Sequence, residues 1–414
     1  MLPGLPFSID SPDMRRAGRE LLSLALIDAR NHTLHLLSLY ERSLASAALS
    51  VPRHEEVEPP AWLAGHIGWF AEWWIARNTQ RSFGAACPVR PMRLASIEPV
   101  ADGWWNPAQI APDGRWSPDL PDLAQTRAYL LETLESTLEL LEHAAETDAG
   151  LYFYRLALFH EDLRGEQLVV MAQTLGLPMG IEAEPAAVVR EPLAMPATSW
   201  ELGLGHAGFA FAQEGGLNRV DVPAFEIDAQ PITWSQYAEF VHDGGYDRPE
   251  LWHAEGGAWL MQQAEGRRGP RHVEQIGAGG SVLQQRFGQA VHVAGHRSAV
   301  HVSWWEADAW ARWAGRRLVT EVEWEIAAHT AARRGFRWAD VHEWTAGTLQ
   351  PWPGFAADPW SVGTGFDPQP AFGQARVLRG ASFATRARLR SAKRRGFALP
   401  HRDDGFFGFR TCDG

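Results

Sequence analysis

The stretch Phe159-His160-Glu161-Asp162-Leu163-Arg164-Gly165-Glu166, together with Gly65-His66-Ile67-Gly68-Trp69-Phe70 upstream, decides how this chain is read. Each sets one histidine in an apolar, aromatic-rich run with helical period. Trp62, His66, Trp69 and Trp73 recur at spacings of four, three and four, so they share one helix face. Phe153, Ala157, His160, Arg164, Gln167 and Met171 share another. Two histidines on facing helices are the beginning of a metal site in a helix bundle. A hydrogen-bonded core histidine in each helix is the competing reading, because buried polar groups are normally paired.

Outward from these runs, the first half reads as helices. Ser11-Pro12-Asp13 is a helix start, and a long amphipathic segment follows to about Leu44. Pro59-Pro60 opens a second helix to about Asn78. A third covers Asp122 to His143, and a fourth runs from Leu151 to Leu175 and stops at Gly176-Leu177-Pro178. A loop rich in proline, glycine and tryptophan spans roughly 82–121 and makes one long crossover in a four-helix bundle. Residues 181–200 read as a linker. Beyond it come short β-like runs and many glycines, with clear helices only at Ser303 to Trp313 and Glu321 to Ala332. The expected organisation is a helical bundle over 1–180, a linker over 181–200 and an irregular α+β domain over 201–414.

Composition narrows the function. The chain of 414 residues is long enough for two domains, and its net charge of -12 gives nonspecific nucleic-acid binding no electrostatic footing. Cys87 and Cys412 stand far apart, which argues against a zinc ribbon, a disulfide framework or a dithiol centre and fits a reducing cytosol. No secretory signal or bilayer-spanning run is read, so a cytoplasmic protein without membrane partners is expected. Tryptophan outnumbers tyrosine, 20 to 6. Core packing explains most of these indoles, but indole faces also attract quaternary ammonium groups.

The segment Trp62-Leu63-Ala64-Gly65-His66-Ile67-Gly68-Trp69-Phe70 and the pattern His160-Glu161-x-x-Arg164-x-Glu166 resemble the DinB-like bundle of the ergothioneine-type sulfoxide synthases. The run Ala299 to Ala328, Asp340-Val341-His342-Glu343-Trp344-Thr345, Leu378-Arg379-Gly380-Ala381-Ser382-Phe383 and Gly408-Phe409-Arg410 resemble the formylglycine-generating, sulfatase-modifying-factor fold. That fold is C-type-lectin-like and poor in regular secondary structure. Arg317, Glu321 and Glu325 read as stitches that satisfy its loops. The copper chemistry of the formylglycine-generating enzymes needs a cysteine pair, and this half holds only Cys412.

In the synthase family three histidines hold a mononuclear non-haem iron. By matching position His66 and His160 are ligands, and Arg164 stands where the third belongs. An arginine stays protonated and cannot ligate, so Fe(II) binding is expected to be weakened or absent. Glu161, Asp162 and Glu166 turn away from the His160 face, and a carboxylate from another helix remains an alternative ligand. The resemblance implies O2-dependent bond formation at the imidazole C2 of hercynine. Trp69 to Asn78 and Phe159 to Glu166 look closer to the selenoneine synthases, which use a selenosugar, than to the thiol-using enzymes. A hercynine-binding protein without turnover is a third reading. The substrate's trimethylammonium suits an aromatic wall, for which Trp69, Trp73, Trp344, Phe406 and Phe407 are candidates. Its carboxylate suits Arg379 or Arg410. For each of these, a core or loop-binding role is the alternative.

Overall fold

A computed structural model of the chain describes residues 8–45, 49–181, 190–205, 207–263, 266–277, 279–362 and 364–414. Part of the expected linker, 182–189, lies outside the described residues. Four long helices form the first half: Arg19–Ser43, Pro60–Ala71, Leu123–Glu142 and Asp148–Leu175. The first begins later than the sequence signal suggested. Ser11 caps a separate 3-10 turn, Pro12–Arg16, and the chain breaks at Ala17-Gly18 before the long helix starts. The third opens with a capping box in which Asp122 accepts from the Gln125 backbone N–H while the Gln125 side chain accepts from Asp122. The fourth begins at a Thr147 cap and ends at Gly176, whose φ of 66° suits glycine. The second helix does not reach Asn78 as a regular helix: its last turn, Glu72–Ala76, widens to a π turn.

The crossover between the second and third helices is more ordered than a loop. Its short helix Ala101–Trp105 lies on the second helix at Gly65, where a Cβ would meet the Trp105 ring at 2.1 Å. Glycine at 65 is therefore what lets Trp105 approach, and Trp105 in turn stacks on Tyr129 with centroids 4.5 Å apart.

The second half carries a four-stranded sheet in the order Arg395–Ala398, Arg376–Gly380, His342–Thr348, Phe407–Phe409. The last pair is parallel, with Phe407 opposite His342 and Phe409 opposite Trp344. A second sheet joins Leu193–Met195, Phe225–Ile227, Thr411–Cys412 and Arg317–Leu318. Residues 193–195 thus already belong to the second domain, and 198–202 pair with 218–222 in a hairpin, where a linker was expected. Capped helices Trp304–Trp313 and Glu321–Thr330 fall where expected. Trp234–His242 and Ala254–Met261 are additional helices. Ion pairs replace regular structure as stitching: Arg317–Glu323 at the surface, Glu321–Arg395 partly buried, and Glu325–Arg379 fully buried.

The halves pack through the fourth helix. Asp162 accepts from Arg388 Nε at 2.6 Å, and Arg388 also reaches Asp28 at 2.8 Å. Glu166 Oε1 is 2.6 Å from His342 Nε2 and accepts from Ser382 at 3.0 Å and Thr385 at 2.6 Å. Burial alone would raise the Glu166 pKa; His342, Arg394 and these hydrogen bonds outweigh it and hold the carboxyl well below its ordinary range.

Candidate functional site

His66 and His160 face each other across the bundle with ring centroids 5.5 Å apart. His66 is sandwiched between Trp62 at 5.1 Å and Trp69 at 5.5 Å. Its Nδ1 donates to the Trp105 carbonyl at 3.0 Å, which leaves the Nε2 lone pair facing the chamber. His160 stacks on Phe70 at 3.7 Å. Burial, then Arg164, pushes the His66 pKa down to about 3, and the same causes, with His66 added, lower that of His160. Both rings are neutral, each with a lone pair available.

Arg164 takes both lone pairs. Its Nη2 donates to His66 Nε2 and its Nε to His160 Nε2, each at 3.4 Å. The guanidinium also lies 4.7 Å from the Phe366 ring centroid, donates to Gln167 at 2.7 Å and stands 3.7 Å from Glu58. Glu58 is itself paired with Arg115 and accepts from Gln167 at 3.0 Å. Arg164, Glu58, Gly365 and Phe366 form a partition between two spaces. On one side lies a chamber of about 420 Å³, lined by the histidines, Trp62, Trp69, Trp74 and Trp360. On the other lies a space of about 440 Å³ with more charged side chains in its wall, among them Glu55, Glu56, His342, Arg394, Arg402 and Asp404.

The residues present do not fit a three-histidine iron site. Two imidazoles converge as such a site requires, but a cation sits where the ion and third ligand would be. Among the described residues no group of three His, Cys, Asp or Glu side chains is placed to hold a metal. Glu161 is paired with Arg30 at 2.9 Å, and Asp162 and Glu166 face the second domain, so none of the three turns toward the histidines.

The wall and arginine candidates divide. Trp69 and Trp73 line the chamber, but their faces are occupied: Trp69 lies between His66 and Trp73, and Arg77 and Arg93 sit 4.7 and 3.9 Å from the Trp73 centroid. Phe406 and Phe407 line the charged space. Trp344, Arg379 and Arg410 lie in the core of the second domain instead. Trp344 donates to the Val302 carbonyl, Arg379 pairs with Glu325, and Arg410 pairs with Glu343. All three are fully buried and line neither space. Trp360 and Phe366 were not among the sequence candidates; they sit in the turn-rich segments 358–362 and 364–368, where no period marks a face. Tyr237 and Tyr246 are bonded to each other at 3.0 Å, with Tyr246 donating to Glu306 at 2.7 Å, deep in the second core.

This arrangement is a DinB-type bundle completed by a second domain that closes its histidine face. The DinB superfamily model matches residues 25–172, and the sulfatase-modifying factor enzyme 1-like domain matches 182–340. Both domains occur here in one chain, which is similar along nearly its whole length to hercynine oxygenases. It is 28% identical over 448 residues to the hercynine oxygenase of Mycolicibacterium smegmatis, covering 95% of this chain and 99% of that protein. The hercynine oxygenase of Mycobacterium tuberculosis is also 28% identical, over 95% of this chain and 98% of its own length. The formylglycine-generating enzyme of Mycobacterium tuberculosis is 32% identical over 148 residues, 31% of this chain and 49% of that one. Among the described residues no helix is long and apolar enough to cross a membrane.

Proposed function

We propose that the protein acts on hercynine in an O2-dependent, oxygenase-class reaction, joining selenium from a selenosugar to the imidazole C2 carbon. Sulfur from a thiol is the nearest alternative. Similarity to hercynine oxygenases along nearly the whole chain supports the class. The observation that carries the reading is the partition: two neutral imidazole lone pairs converge in an aromatic chamber separated by Arg164 from a charged space. The chamber suits an imidazole betaine, with Trp360 as its less encumbered aromatic face, since Arg164 lies over Phe366. The charged space suits a hydroxylated or charged chalcogen donor.

No step is routed through iron, because the side chains as arranged do not hold it. The bonds from Arg164 to both imidazoles favour a second reading, a protein that binds hercynine without turning it over. One experiment separates the readings. Protein loaded anaerobically with Fe(II) is given hercynine and either a selenosugar or a thiol, then O2, with product followed by mass spectrometry and hercynine binding by calorimetry. A selenium-bearing product supports the first reading. Binding without product supports the second. Neither binding nor product removes both.

A further inference from the structure

A third cavity lies in the second domain, away from the histidine chamber. It is lined by Trp234, Gln284, Arg286, Arg297, Phe383 and Arg390, among others, and its free interior is about 60 Å³. Gln284 and Arg286 are two apart on the strand Val282–Arg286, so their side chains leave the same face of the sheet. Trp234 opens the helix Trp234–His242 opposite them.

Two buried donors in this wall have no partner. The Trp234 indole Nε1–H and the Gln284 side-chain Nε2 are both sealed from bulk water, with residue exposures of 0% and 1%, and neither makes a hydrogen bond. Leaving such a donor unpaired costs about 1–3 kcal/mol. Arg286, Arg297 and Arg390 line the same cavity, and among the described residues no carboxylate pairs with their guanidinium groups. Arg390 donates to the carbonyls of Thr385 and Phe383, and Arg286 lies 5.7 Å from the Phe383 ring centroid. Burial, then the charge of Arg297, lowers the Arg286 pKa, as expected of cations close together without a counterion. The acid in the wall is Asp340, which accepts from Ser298 at 3.1 Å.

We infer that this cavity binds a short-chain aliphatic carboxylate. A carboxylate only accepts hydrogen bonds, and the open positions in this wall are donors. The free interior of about 60 Å³ is several times the roughly 10–15 Å³ that one water needs, so it has room for a small carboxylate and its short tail. Val293, Val300, Val341 and Phe383 line it for a short apolar tail. A phosphate dianion has no apolar tail and gains nothing from those walls. The cavity is also close to the interface: Phe383 packs on Phe406 with centroids 4.4 Å apart, and Phe406 lines the charged space described above.

The test uses the full chain with nitrogen-15 in its indoles, the Trp234 resonance being assigned from Trp234→Phe. Propionate and butyrate are titrated, with propionamide as the neutral isostere and inorganic phosphate as the competing anion. The expected result is a saturable shift confined to the Trp234 resonance, absent with propionamide. Arg286→Gln/Arg297→Gln should weaken it at least about tenfold, since two charge-assisted contacts are lost. Gln284→Leu, which leaves the arginines in place, should weaken it as well. The inference is overturned if propionate gives no saturable shift. It is also overturned if propionamide or phosphate binds as well, or if the double variant, with its other indole resonances unmoved, binds propionate as tightly as the parent.

Discussion

Replacing Arg164 tests the site most directly. An ion bound to His66 and His160 at about 2.0–2.2 Å from each nitrogen would lie where the guanidinium now donates. Two unit charges 4 Å apart interact by about 4 kcal/mol at an effective dielectric of 20, so a divalent ion beside Arg164 is repelled by about 8 kcal/mol. The side chain has a retreat, since Glu58 stands 3.7 Å away and Gln167 already accepts from it. If that retreat relieves half of the repulsion, about 4 kcal/mol remains, which is a factor of about a thousand in affinity. Arg164→Ala removes the charge alone and should tighten Fe(II) binding by that factor. Arg164→His adds a neutral nitrogen one turn from His160 and should tighten it further. The assay is anaerobic Fe(II) titration against a ferrous chelator, with Co(II) absorption reporting ligand number. If the unmodified protein binds one Fe(II) within about tenfold of Arg164→Ala, the repulsion argument is refuted. The guanidinium would then be a bystander.

Three further outcomes follow from the packing. Glu166→Gln should lower the melting temperature, by the equivalent of about 2–4 kcal/mol, because His342 and Arg394 lose a buried counter-charge. The Glu166 carboxyl is held below its ordinary value, so its stabilisation is present above about pH 4.3 and lost as pH falls toward the folded-state value. Acid unfolding of the variant should therefore start from lower stability and be shallower, and superimposable acid limbs would count against the assignment. Arg388→Met leaves Asp162 buried without its cation and should cost about 3–5 kcal/mol in denaturant unfolding; a change under about 1 kcal/mol contradicts it. Gly65→Ala drives a methyl into Trp105, displacing the carbonyl that fixes His66. It should cost about 1–3 kcal/mol and shift the His66 imidazole resonances; unchanged resonances would show that Trp105 yields freely.

The bundle was legible because its signals are local. Helical spacing put His66 and His160 on inward faces, and the caps at Asp122 and Gly176 mark real ends. The departure at Arg164 was visible for the same reason, being one turn from His160. What escaped is long-range. Nothing near Trp73 in sequence announces that Arg93 will cover it, twenty residues on across a loop. Arg379 and Arg410 look like carboxylate binders because a buried ion pair and a substrate clamp use the same side chain. Only the sheet register, which brings Glu343 beside Arg410, separates the two. Residues 193–200 read as linker because a short strand with prolines at its ends has too few residues to show alternation.

The family matches end at residue 172 and resume at 182, which invites recombination at that seam. The fourth helix argues against it. Within two turns it sends His160 to the chamber, Glu161 to Arg30, Asp162 to Arg388 and Glu166 to His342. A bundle made alone would carry two apolar-flanked carboxylates with no cation to meet them. A chimera with a relative's second domain inherits the same deficit unless counterparts of Arg388, His342, Ser382 and Thr385 come with it. The protein is modular in its ancestry and indivisible in its chemistry, and graft points belong outside this helix's contacts.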